Sequence, residues 1–153
     1  MLKSDLAPKS YFITAPAQIA IMSTCTLGIY DVYWMYKQWK AVLADRQITK
    51  GSPFWRAIFS VLWVYPLFKG LEVENPGSSA AAYVLFSLMY KLPGAATLLS
   101  LASCLPLMKV QIALNKRMDV TPAMRFSSKA VAACVFGALV LGLAIIGLMS
   151  SPS

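Results

Sequence analysis

The chain is expected to be an all-α polytopic membrane protein, a four-helix transmembrane bundle. Three observations predict this class. Of its 153 residues, 58% are apolar, against roughly 45–50% in an average soluble domain. The mean hydropathy of +0.62 is spread over four long runs, and the 13% of charged residues collect between those runs rather than within them. The length suits one integral domain, residues 1–153.

Four spans follow in order. The first run, 12–34, has 23 residues, and at about 1.5 Å per residue it can cross a hydrocarbon core of roughly 30 Å. Helical character continues through "MYKQWKAVLADRQ", where Tyr36, Trp39, Val42 and Leu43 recur near helical spacing. "TKGSP" breaks that helix, and Pro53 starts a second span, 53–71, that Pro66 should bend. "EVENPGSS" reads as a short acidic loop. The third span, 80–108, is broken near 91–94 by Lys91, Pro93 and Gly94. Either it is one interrupted helix, or 80–90 lies along the interface and a spanning helix begins near Gly94. The fourth, 129–149, carries no charge after its first residue.

Charge sets the orientation. Lys37, Lys40, Lys50, Arg46 and Arg56 lie in 37–56, and Lys109, Lys116, Arg117, Arg125 and Lys129 in 109–129. Such clusters beside apolar runs follow the positive-inside rule, so both loops should be cytoplasmic and both termini periplasmic. The same placement accounts for the formal charge of +8 without nucleic acid. No cleavable signal peptide is evident in the first run. Histidine is absent, and Cys25, Cys104 and Cys134 lack C-x-x-C spacing. No metal, cofactor or disulfide is expected from that set, and the thiols read as small packing groups.

An [ST]-P-x-x-R pattern occurs at Ser52–Arg56 and again at Thr121–Arg125, and Lys40 and Lys109 match at the same offset. A parallel pseudo-repeat about the membrane normal is one reading, and shared helix-start chemistry is the other.

Among single residues, Asp31 lies about 9 Å deeper along a helix than Lys37. An acid there needs a partner, and Arg56, just inside the second span, is the expected one, as a structural clamp or as part of an ion path. Lys91 either lines a polar cavity or reaches headgroups from the interface. Tyr30, Tyr33, Trp34, Tyr36, Trp39 and Trp55 form an aromatic rim where the first two spans leave the membrane, suited to the interface or to a bound partner. Ala20, Thr24 and Gly28, then Ala133 with Gly137 and Ala138 with Gly142, stand at i, i+4 spacing and should let helices pack closely.

"TLGIYDVYWMYKQW" followed by "SPFWRAIFSVLWVYPLF" resembles a group of small uncharacterised bacterial integral membrane proteins, marked by T-L-G-[IL]-Y-x-x-Y-W and a P-F-W-R-like second segment. The resemblance covers mainly the first half. It implies the bacterial inner membrane and includes an acid at the position of Asp31, but it transfers no catalytic residue. Six scattered carboxylates offer no catalytic constellation, so no enzyme is expected. The expected role is binding or assembly, with the lipid bilayer as solvent and a membrane protein or a second copy as partner. An immunity protein against a membrane-acting toxin is a concrete form of that role. A small oligomeric transporter or channel is the alternative.

Overall fold

The structure, a computed structural model, describes residues 11–92, 94–126 and 128–150. Lys3 and Lys9 lie outside these ranges, as do the side chains of several residues in the third and fourth apolar runs. The described residues are helical and contain no strand, which is the expected all-α class. Seven α-helices follow an extended segment, 11–15: α1 Pro16–Cys25, α2 Ile29–Asp45, α3 Pro53–Ile58, α4 Ser60–Gly70, α5 Pro76–Leu88, α6 Cys104–Arg117 and α7 Ser128–Ser150. Among the described residues, no helix is both long enough and apolar enough to cross a membrane. The first and second expected spans, 12–34 and 53–71, are therefore corrected to shorter pieces, the third is interrupted by 3-10 turns, and α7, with 23 residues, covers the fourth.

The first run, 12–34, breaks and turns back on itself. Leu27 and Gly28 both take positive φ, 51° and 87°, a left-handed pair that ends α1 and re-aims the chain. Thr26 stitches the break. Its hydroxyl donates to the Met22 carbonyl at 2.7 Å and accepts from the Tyr30 N–H at 3.0 Å, so it serves the end of one helix and the start of the next. The result is an antiparallel α1–α2 hairpin. Ser23 meets Asp31 near its tip, and the Phe12 carbonyl meets Gln38 at its base.

The second run, 53–71, also divides. Ser52 accepts from the Phe54 N–H at 3.3 Å and Pro53 opens α3, but Phe59 leaves helical geometry with ψ 40° and separates α3 from α4. Pro66 stands inside α4, as expected. The third run becomes α5, a 3-10 turn at Met89–Lys91, a longer 3-10 stretch at Gly94–Ser103, and α6.

The two [ST]-P sites have different outcomes. Ser52-Pro53 starts a helix at once, whereas Thr121-Pro122 continues into non-helical chain, and α7 begins only at Ser128. The cause is a tertiary clamp. The Gln18 side-chain amide donates to the Arg125 carbonyl at 2.9 Å and accepts from the Arg125 N–H at 3.1 Å, which occupies backbone groups that a helix would need.

Contacts along the elements fix their directions. Asp31 meets Ser103 and Gln38 meets Gln111, so α2 and α6 run parallel. Trp39 meets Trp63 and Val42 meets Gly70, so α4 follows the same direction. Arg117 then joins the ends of α4 and α6, donating to the Leu71 carbonyl at 3.1 Å and pairing with Glu72. Both cation-rich connectors therefore leave from one end of the bundle, and the base of the α1–α2 hairpin lies at that same end. Ile19, Trp34, Met35, Leu67, Phe68 and Leu107 fill the core between these helices.

α7 lies along α1 in the same direction, with Cys134 against Met22 and Gly137 against Cys25. A Cβ at Gly137 would overlap the Cys25 carbonyl, so the absent side chain is what permits the approach. Gly142 has nothing within 4 Å of its Cβ position. Gly137→Ala should thus lower stability by about 1–3 kcal/mol and Gly142→Ala should leave it almost unchanged. Thermal unfolding of both variants in detergent checks the contrast, and equal Tm values would contradict the packing.

Candidate functional site: a buried polar ladder

The apolar interior holds a ladder of polar groups between α2, α6 and the extended segment before α1. On α2, Asp31, Trp34 and Gln38 stand at i, i+3 and i+7 and share a face. On α6, Gln111 and Asn115 stand at i and i+4, in register with Leu107 and, one turn further back, Ser103. All seven are buried.

Gln111 is the hub. Its Oε1 accepts from Trp34 Nε1 at 2.8 Å and from Gln38 Nε2 at 3.2 Å, while its Nε2 donates to Asn115 Oδ1 at 2.8 Å and to the Phe12 carbonyl at 3.3 Å. Gln38 Nε2 also donates to the Phe12 carbonyl at 2.9 Å, and Asn115 Nδ2 donates to the Thr14 carbonyl at 3.0 Å. A stretch with no helix of its own thus has its carbonyls satisfied by side chains of two helices, as a buried backbone requires. Among the described residues, three buried polar atoms, Tyr11 OH, Gln38 Oε1 and Trp39 Nε1, lack a protein partner. Beside the Asn115 end, a surface groove of about 500 Å³ opens among Pro16, Ile112, Lys116, Asp119 and Pro122.

Asp31 forms the other end of the ladder. The Ser23 hydroxyl and the Ser103 hydroxyl, the latter at 2.7 Å, both donate to its carboxylate, one to each oxygen. Among the described residues no cation pairs with it. The expected Asp31–Arg56 pair is therefore corrected. α3 lies against the lower part of α2, which puts Arg56 at the level of Trp39, eight residues or about 12 Å along the helix from Asp31. There the guanidinium sits over two indole rings, 4.8 Å from the centroid of Trp39 and 5.0 Å from that of Trp63, a cation–π clamp.

The other candidates distribute as follows. The aromatic residues do not form one rim, because the helical period of α2 sends them to different sides. Tyr30, Trp34 and Trp39 enter the core, Tyr36 is half-buried, and Tyr33 and Trp55 are exposed. Lys37 lies over the rings of Phe12 and Tyr33, at 5.9 and 5.5 Å. Lys91 is exposed at the end of its 3-10 turn, which corrects its placement in a polar cavity. Of the small residues, Gly137 makes the close helix approach, while Gly28 serves the chain reversal instead. Ala20 and Thr24 are half-buried on α1, and Ala133 and Ala138 are exposed on α7.

Sequence reasoning missed Gln38, Gln111, Asn115, Ser23, Ser103 and Trp63. A signal for two of them was present. Gln111 and Asn115 share a helical face with Leu107, Val110 and Leu114, and uncharged amides on an apolar stripe point to a buried network.

The arrangement can hold helices in register but offers no nucleophile with an adjacent base, and the described residues contain no group of three His, Cys, Asp or Glu placed for a metal. No protein-family model, curated protein or solved structure matches the chain.

Replacing the hub tests the ladder. Gln111→Leu leaves the indole N–H of Trp34 and the Oδ1 of Asn115 without partners, at about 1–3 kcal/mol each. A loss of roughly 2–4 kcal/mol in chemical unfolding is expected, and a change below about 0.5 kcal/mol would remove the ladder from the account.

Proposed function

We propose that the chain acts by binding rather than catalysis, as a helical bundle in the bacterial inner membrane that assembles with another membrane component. Protection against a membrane-acting toxin is the concrete form of this role that we favour. The observation that carries the reading is the surface of α7. Phe136 is 70% exposed, Leu139 63% and Leu143 70%, while α1 covers one face, at Cys134 and Gly137. A helix that is apolar all round belongs inside protein or lipid, and this bundle leaves most of α7 uncovered. The sequence from Lys129 to Met149, uncharged after its first residue, supports lipid as its surroundings. Exposed Leu62, Trp55 and Phe59 on the α3–α4 flank support the same environment.

The transporter reading has less support, since the interior amides bond one another, Trp34 and backbone carbonyls, and the Asp31 carboxylate is held by the Ser23 and Ser103 hydroxyls. A partner that seats on α7 needs no pathway.

Orientation follows from the directions of the helices. The two basic connectors and the base of the α1–α2 hairpin share the cytoplasmic end in this reading, and α7 runs away from it. Tyr11 should thus lie on the same side as Lys50, opposite to the far end of α7, and a cytoplasmic Tyr11 end replaces the expectation that both termini are periplasmic.

A photoactivatable residue in place of Leu139 tests the partner. Irradiation of living cells should give one discrete protein adduct, and deletion of the gene should make cells sensitive to toxin-producing siblings. Adducts with lipid alone, together with unchanged sensitivity, would contradict the proposal. A reporter fused ahead of residue 11 should read cytoplasmic, and a periplasmic reading would overturn the orientation.

A further inference from the structure

The interface between α1 and α7 brings three sulfur atoms together. Met22 and Cys25 stand at i and i+3 on α1, so they share a face. α7 lies on that face. The Cys134 thiol donates to Met22 Sδ at 3.4 Å and interacts with the Cys25 thiol. Gly137, less than one turn further along α7, rests on the Cys25 carbonyl, and the resulting close approach is what lets Cys134 reach both sulfurs. Met22 is buried, whereas Cys25 and Cys134 are half-buried and leave a route for a small ion. A thioether and two thiols at one point form a soft donor set, the type that selects Cu(I) over harder cations.

We propose that Met22, Cys25 and Cys134 form a three-sulfur site for Cu(I) between α1 and α7. The ion enters as Cu(I), so no electron is transferred. Both thiols lose their protons to solvent, two Cu–thiolate bonds form, and the Met22 thioether completes a trigonal set. The bound ion ties α7 to the rest of the bundle through α1. This site stands whether or not α7 lies in lipid.

The test is anaerobic titration of the full chain in detergent with Cu(I) buffered by bicinchoninate. One equivalent should bind. Cys25→Ser and Cys134→Ser should abolish binding, Met22→Leu should weaken it by roughly tenfold or more, and Cys104→Ser should bind like the parent. Because a variant can fail to fold, the unaltered chain supplies a second measurement. Ag(I), a cation of the same class, should protect Cys25 and Cys134 from alkylation, as read by peptide mass spectrometry. Binding that survives Cys134→Ser or requires Cys104, unprotected thiols, or a Cys25–Cys134 disulfide holding no ion would each overturn the site.

Discussion

A buried amide without a partner costs more than a satisfied one contributes, and that asymmetry organises this molecule around Gln111. Its side chain makes four hydrogen bonds, two accepted and two donated, to groups on α2, on α6 and in the segment before α1. Apolar packing alone has no direction and would tolerate rotation or sliding of α2 against α6. The ladder removes that freedom, because slipping either helix by one residue strands several buried donors and acceptors together. Asp31 repeats the logic at the other end, where two serine hydroxyls on separate elements converge on one carboxylate. Between these ends, Trp34 and Leu107 supply the apolar filling, both fully buried.

The reversal at Leu27–Gly28 is what makes the ladder possible. Were 12–34 a continuous helix, the Phe12 and Thr14 carbonyls would lie far from Gln38 and Asn115, and the two amides would face each other with groups left over. Folding back brings exposed backbone to side chains that need acceptors, and side chains to a backbone that needs donors. The same reversal carries α1 alongside α6 and gives α7 the surface on which Gly137 can settle.

The sequence made some of this legible and hid the rest for physical reasons. Helical class was readable because apolar runs and helical periodicity accumulate over many residues. α7 was readable for the same reason, as one uncharged run. The break at Pro53 and the interruption near Lys91 were visible through proline and glycine, which act locally. The reversal at Gly28 was hidden because the surrounding 23 residues sum to a convincing span, and one Thr-Leu-Gly turn weighs little in such a sum. Asp31 was recognised as needing partners, but the sequence could not say which. Electrostatics favoured Arg56, whereas hydroxyls from Ser23 and Ser103 were nearer in the fold. Arg56 instead met Trp39 and Trp63, a contact made by the turn between α2 and α3 rather than by charge. Gln38, Ser23 and Ser103 went unnoticed because a long-range network leaves no local pattern at those positions.

The most direct test of the central claim is a distance across the α1–α2 hairpin. Spin labels at Ile13 and Lys40 would stand about 40 Å apart along a continuous helix. The ladder, which joins Phe12 to Gln38, requires under about 20 Å between helices packed 8–10 Å apart. A separation near the shorter value, lost in Gln111→Leu, is the predicted result. A separation near 40 Å in the parent chain would contradict the account.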